Sequence, residues 1–246
     1  VTPIPWGVYA RRMRIVIVGG VAGGMSAATR LRRLDENAEI VVLERSGYVS
    51  FANCGLPYHV GGVIEERSAL LLQTPESLAA RFRLDVRVGT EAVAVDPAAK
   101  TVTARTLATG DEQVLAYDKL ILSPGARPVR PPIPGIERAL SLRDVEDTDA
   151  LVAAAAEAKT AVVIGGGFIG VELAENLRHR GMDVTLVEAT PQVMAPIDPE
   201  LAALVHAELR ANGVALPPGP AAAPIGEDHV VLGDGETSRT PVLFVL

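Results

Sequence analysis

Two glycine-rich turns, each set between an apolar strand and a helix, constrain this chain more than any other feature. Residues 14–18 (RIVIV) are apolar and β-branched after the first, as in a strand buried on both faces of a parallel sheet. A turn follows over residues 19–24 (GGVAGG), then a predicted helix over 25–34 and a second buried strand over 39–44. The same order recurs: strand 160–164, turn 165–170 (GGGFIG), helix 171–180 closed by Gly181 as a C-cap, and strand 183–188. Each block is a βαβ unit of about thirty residues. The repeat predicts an α/β fold with two Rossmann-like, three-layer units.

Between the copies the pattern predicts short strands over 84–88, 91–95, 100–105 and 117–122. The segment 123–134 (SPGARPVRPPIP) is too rich in proline for a helix or a central strand and reads as the crossing between domains. Helices are expected over 147–159 and 199–212, a Pro/Ala-rich loop over 217–224, and short strands over 230–232 and 242–246. The domain division expected is 13–126 and 127–246. Residues 1–12 read as a spurious extension, because Met13 stands directly before the first strand.

Composition narrows the function classes. About half of the 246 residues are apolar, enough for two cores. The net charge of −7 argues against a nucleic-acid or membrane-surface partner, and the arginine clusters 11–14 and 30–33 read as solvated faces. No apolar run approaches the roughly 20 residues of a membrane helix, so a soluble cytoplasmic protein is expected. His59 and His179 have no partners at ligand spacing, and no metal is expected. The single cysteine, Cys54, excludes a disulfide within the chain.

The second turn, Gly165, Gly166, Gly167, Phe168, Ile169 and Gly170, fits G-x-G-x-x-G in full. The first glycine allows the tight turn, the second the approach of a pyrophosphate, and the third close helix–strand packing. Glu188 ends the next strand, where an acid reaches a ribose hydroxyl; its charge favours NADH over NADPH. The first turn, Gly19, Gly20, Val21, Ala22, Gly23 and Gly24, has valine at the middle position, with Glu44 and Arg45 ending its second strand. Gly20 and Gly23 flank Val21 and are read as restoring close approach. Cys54 lies just beyond that strand, within SFANCGLPY, and residues 56–60 are read as opening a helix close to its sulfur. On position alone, a reactive and a structural cysteine are both open. On composition alone, Ser123, Pro124, Gly125 and Ala126 form an ordinary Pro/Gly crossing.

Together GGVAGG, SFANCGLPY, YDKLILSPGARP and GGGFIG with VELAENL resemble the single-cysteine branch of the flavin-dependent pyridine nucleotide-disulfide oxidoreductases. The likeness runs from about Met13 to Glu200. It implies FAD at the first turn, with Glu44 at the adenosine ribose and Ser123 to Ala126 facing the flavin. It implies NADH or NADPH at the second turn, Cys54 as the redox-active residue, and Arg33, Ser50 and Asn53 as holders of a coenzyme A substrate. The activity implied is NAD(P)H-dependent reduction of CoA-disulfide or CoA-persulfide. Relatives in the branch reduce oxygen or peroxide through a cysteine sulfenic acid, and family members form homodimers. Members are also longer, so the flavin domain is expected to be incomplete here and flavin binding weak, with an inactive truncated nucleotide-binding fragment as a further reading.

Overall fold

The computed structural model describes residues 12–217, 224–232, 237–239 and 243–245. Residues 1–11, most of the expected 217–224 loop, and the ends of the expected 242–246 strand lie outside them. The chain divides into two compact units. One comprises the described residues through Phe51 together with Leu71–Gly125. The other comprises Ala52–Leu70 with the described residues from Ala126 onward.

In the first unit, β1 (Arg14–Val18), β2 (Glu39–Leu43), β3 (Asp85–Arg87) and β7 (Lys119–Leu122) form a parallel sheet in the order β3-β2-β1-β7. Alternate residues go to opposite faces. Ile15, Ile17, Ile40 and Val42 pack on Met25 and Ala28 of α1 (Ala22–Leu34) and on Leu78 of α3 (Pro75–Phe82). Val16, Val41 and Leu43 face the other way, onto Val102, Ala104, Leu115 and Tyr117. The first two of these belong to β5 (Thr101–Thr106) and Leu115 to β6 (Glu112–Ala116), which with β4 (Thr90–Asp96) form an antiparallel sheet in the order β4-β5-β6. Helix, parallel sheet and antiparallel sheet make three layers, which explains why β1 and β2 are apolar at every inner position.

The second unit repeats the parallel sheet. β8 (Thr160–Ile164) lies between β9 (Asp183–Val187) and β13 (Leu243–Val245), with the short β10 (Val214–Ala215) outside β9. Val162, Ile164 and Val187 pack on Ile225, Val230 and Leu232, around the hairpin of β11 (His229–Val231) and β12 (Thr237–Arg239). α4 (Val145–Glu157), α5 (Phe168–His179) and α6 (Pro199–Ala211) complete the unit, and Leu173 and Leu177 of α5 are fully buried. Gly181 takes a left-handed φ of 89° just past α5, as its predicted capping role requires. Also in this unit is α2 (Leu56–Val60), at the predicted position.

The structure adds α3, β6, β10 and β12 to the predicted elements. α3 opens with a capping box that uses Ser77 where the motif expects Glu or Gln: Ser77 N donates to Thr74 Oγ1, and Thr74 N to Ser77 Oγ. β6 buries only Leu115, so it shows no alternation.

One arginine departs from the solvated-face reading. Arg32 is 8% exposed. Its guanidinium donates to the carbonyls of Asp35, Glu36, Ala38, Phe82 and Arg83. A cation there satisfies the carbonyls of Phe82 and Arg83 at the C-terminal end of α3 and those of Asp35, Glu36 and Ala38 just past α1, close to the negative ends of both helix dipoles. Replacing Arg32 with Met is expected to cost about 2–3 kcal/mol in urea unfolding, because buried acceptors lose their donors. Lys, with one point of donation, is expected to recover less than half of that.

Candidate functional site

The two turns superimpose feature by feature. Gly19 has φ 103° and Gly165 φ 112°, a left-handed region that strains other residues. Gly19 N donates to Leu43 O and Gly165 N to Val187 O, each at 2.8 Å. A Cβ on Gly24 would lie 1.8 Å from Gly19 O, and one on Gly170 would lie 1.9 Å from Gly165 O. The third glycine of each motif is therefore fixed by helix–strand packing.

A carboxylate clamps each turn. Glu44 accepts from Gly20 N at 2.7 Å and from Ser46 N at 2.8 Å. Glu188 accepts from Gly166 N at 2.6 Å and from Thr190 N at 2.7 Å. Each oxygen takes one backbone donor, which orients the carboxylate and leaves lone pairs for a ligand hydroxyl. The repeat runs further than the sequence shows. Ser50 N donates to Gly20 O and Met194 N to Gly166 O, and Ser50 (φ 49°) and Met194 (φ 52°) both adopt the left-handed conformation. Val49 and Val193 each stand 2.9 Å from where a Cβ on Gly20 or Gly166 would be.

Whether the turns fit a dinucleotide is tested by their helix ends. Neither α1 nor α5 has a side-chain cap, and neither has an acid in its first turn. α3 and α4 are capped by Thr74 and Asp144, and α3, α4 and α6 carry first-turn acids. The free N–H groups and positive ends of α1 and α5 are thus the two left uncompensated among the described helices of eight residues or more, and a pyrophosphate supplies what is missing. A Cβ on Gly167 would meet nothing within 4 Å, so the middle glycine of the second turn faces open space. Glu188 lines a cavity of about 680 Å³ with Thr190, Val193, His206 and Arg210. His206 Nε2 accepts from Val193 N at 3.0 Å.

Val21, the departure in the first turn, is the N-cap of α1 with φ −109°; Gly167 is the N-cap of α5 with φ −72°. Neither is left-handed, so valine causes no strain there. The flanking glycines have their own reason. A Cβ on Gly20 would strike Glu44 and Val49, and one on Gly23 would lie 2.4 Å from Ser123 Oγ. Protein atoms crowd both positions, which is a packing reason for glycine at each. Ser123 follows β7 and donates its N–H to Val18 O, so the chain folding brings it to the turn. The Ser123–Ala126 segment forms no helix or strand, and Gly125 has φ 69°.

Cys54 is exposed, within a 3-10 turn (Asn53–Gly55) that leads into α2. The segment carrying it belongs to the second unit, although the chain on either side of it belongs to the first. Arg67 donates to both oxygens of Asp149 on α4, at 2.6 and 2.7 Å. The Arg67 hydrogen bonds hold the Asp149 carboxyl below the usual carboxylate range. Arg180, the C-cap of α5, donates to Val60 O at 2.8 Å. A Cβ on Gly61 would strike buried Asn176 of α5. Asn53 is exposed. In the first unit, Arg45 is exposed and Arg33 donates to Thr29 O of its own helix, near the end of α1 opposite the glycine turn. The structure therefore groups Gly19 to Gly24, Glu44, Ser50 and Ser123 at one turn, and leaves Arg33 about 17 Å along the helix from it. No group of three or more His, Cys, Asp or Glu that could hold a metal occurs among the described residues. No helix among them is long and apolar enough to cross a membrane.

Comparison with known proteins matches this arrangement. Residues 13–246 match the pyridine nucleotide-disulphide oxidoreductase family. The chain is 38% identical over 198 residues to the coenzyme A disulfide reductase of Staphylococcus haemolyticus (strain JCSC1435), covering 80% of this chain and 45% of that protein. It resembles the crystal structure of reduced Bacillus anthracis CoADR-RHD with a TM-score of 0.92 and 50% identity, over 98% of this chain and 44% of that one. An NAD-dependent persulfide reductase from A. fulgidus gives 0.90 and 36%, over 95% and 45%. The chain thus spans less than half the length of these relatives. With both glycine turns, both carboxylate clamps and the cysteine segment inside the matched region, the chain belongs to the pyridine nucleotide-disulphide oxidoreductase family.

Proposed function

We propose that this chain carries the nucleotide and thiol machinery of an FAD-dependent NAD(P)H oxidoreductase that reduces CoA-disulfide, or CoA-persulfide, through Cys54. The observation that carries the proposal is the coexistence of two uncapped, carboxylate-clamped glycine turns with one exposed cysteine. The names of the Staphylococcus and A. fulgidus relatives support the substrate class.

In this reading residues 13–126 hold FAD and 127–246 hold NAD(P)H. The backbone N–H groups at Val21 to Gly24 and at Gly167 to Gly170 receive the two pyrophosphates, and Glu44 and Glu188 receive ribose hydroxyls. Arg45 and Ser123 to Ala126 flank the flavin. Arg33 offers its guanidinium to CoA phosphates, and Ser50 and Asn53 offer polar groups along the chain toward Cys54. A working thiol fits a reducing, cytoplasmic compartment, and the family's homodimer is the assembly proposed.

When bound, the flavin supplies hydride acceptance from the nicotinamide and a two-electron supply for a disulfide. The chain's own chemistry is at sulfur. The Cys54 thiolate attacks one sulfur of CoA-disulfide; the S–S bond breaks, one CoA leaves as a thiolate, and a Cys54–CoA mixed disulfide forms. Two-electron reduction of that bond releases the second CoA and restores the Cys54 thiolate. The exposure of Cys54 also suits a second reading, oxidation to a sulfenic acid by oxygen or peroxide in an oxidase cycle.

Two outcomes follow. In flavin-loaded protein, Cys54→Ser is expected to lower NAD(P)H-driven release of CoA thiol by at least about a thousandfold, roughly 4 kcal/mol of barrier, with nucleotide affinity unchanged. Retained disulfide reduction in the variant contradicts the mechanism, and turnover with oxygen or peroxide but not CoA-disulfide selects the second reading. NADH is the preferred nucleotide, because Glu188 would repel a 2′-phosphate. Fluorescence titration of Glu188→Gln is expected to show the preference for NADH over NADPH reduced by about tenfold; an unchanged ratio removes Glu188 as its source.

A further inference from the structure

The helix that receives the nicotinamide nucleotide in the reading above is also the helix that holds the cysteine segment. α5 begins at the open Gly167 turn and ends at Arg180, whose guanidinium donates to Val60 O at 2.8 Å. One turn earlier, Asn176 is 2% exposed and donates to Glu172 O, and its side chain occupies the space that any Cβ on Gly61 would need. Both contacts fall on the last residue of α2 and the one after it. A third tether, Arg67 to Asp149, reaches α4, which carries no glycine turn.

α2 has five residues. A helix this short is far below the length that is stable alone in water, so its structure depends on what it packs against. Its docking on the second unit therefore rests on these contacts, and fraying is what their loss would allow.

We propose that Asn176 and Arg180 are positioning residues for Cys54 and couple nucleotide occupancy at the start of α5 to docking of the α2 segment at its end. A nucleotide that binds only the folded α5 lowers the population of openings that disrupt it, and α2 frays less as a result. By reciprocity, a docked α2 favours nucleotide binding. The inference rests on the assignment of NADH to the second turn.

Hydrogen exchange of the full chain, with and without NADH, tests it. The amides of Gly61, Gly62, Val63 and Ile64 are reporters, since each donates to a carbonyl of Pro57, Tyr58 or His59. At NADH a hundred times its Kd, their exchange in the wild type is expected to slow by about tenfold, against a ceiling of about a hundredfold. Alkylation of Cys54, the sole cysteine, is expected to respond to NADH in parallel. Arg180→Met is expected to abolish the NADH effect on these amides, and Arg180→Lys to restore part of it. Asp149→Ala, which removes the tether to α4 alone, is expected to raise basal exchange while leaving the NADH effect in place; this pattern separates coupling through α5 from simple loosening. If NADH binds and protects Gly166 to Gly170 without slowing exchange at Gly61 to Ile64, or if the effect survives in Arg180→Met, the inference is overturned. If NADH does not bind, the assignment of the second turn fails, and the coupling with it.

Discussion

The carboxylate at the end of each second strand is the interaction on which the site depends. Glu44 and Glu188 sit at matching places and bond the second glycine of their turns at 2.7 and 2.6 Å. That bond joins the end of the second strand to the turn after the first, at the C-terminal edge of the sheet where ligands of such folds bind. A charged acceptor makes a strong tie to a backbone donor, and next to each tie stands a helix, α1 or α5, with no side-chain cap and no acid in its first turn.

This clamp also explains the choice of residues around it. Gly20 and Gly166 are tightly surrounded: a Cβ on Gly20 would stand 2.9 Å from both Glu44 and Val49, and one on Gly166 would stand 2.9 Å from Val193 and 3.0 Å from Glu188. Val21 is tolerated in the middle of the first turn because its φ is negative, while the left-handed positions, Gly19 and Gly165, are glycine in both copies. The left-handed Ser50 and Met194 show the two units following the same backbone path beyond the second strand, although their sequences there have little in common. In the first unit that path leads directly to the cysteine segment.

Much of the fold was legible in the sequence. Buried β-branched runs located β1, β2, β8 and β9, and the glycine spacing located both acids and both helices, which begin three residues earlier than expected, at Ala22 and Phe168. Other features were hidden for physical reasons. The burial of Arg32 depends on the carbonyls of Phe82 and Arg83, at the end of a helix fifty residues away. The role of Gly23 depends on Ser123, a hundred residues away. The placement of Ala52–Leu70 with the second unit rests on Arg67, Asn176, Arg180 and Asp149, residues with no local pattern. Local periodicity reports a strand or a helix; it does not report which long side chain reaches which distant carbonyl.

One helix, α5, begins at the second glycine turn and contacts the cysteine segment at its far end. The central claim is that the second turn is a nicotinamide nucleotide site. The most direct measurement is an NMR titration of the isotopically labelled chain with NADH, following the backbone amides of both turns. The account predicts saturable shifts at Gly166, Gly167, Phe168 and Thr190, larger than any at Gly19 to Gly24. Binding that leaves those four amides unmoved would contradict it.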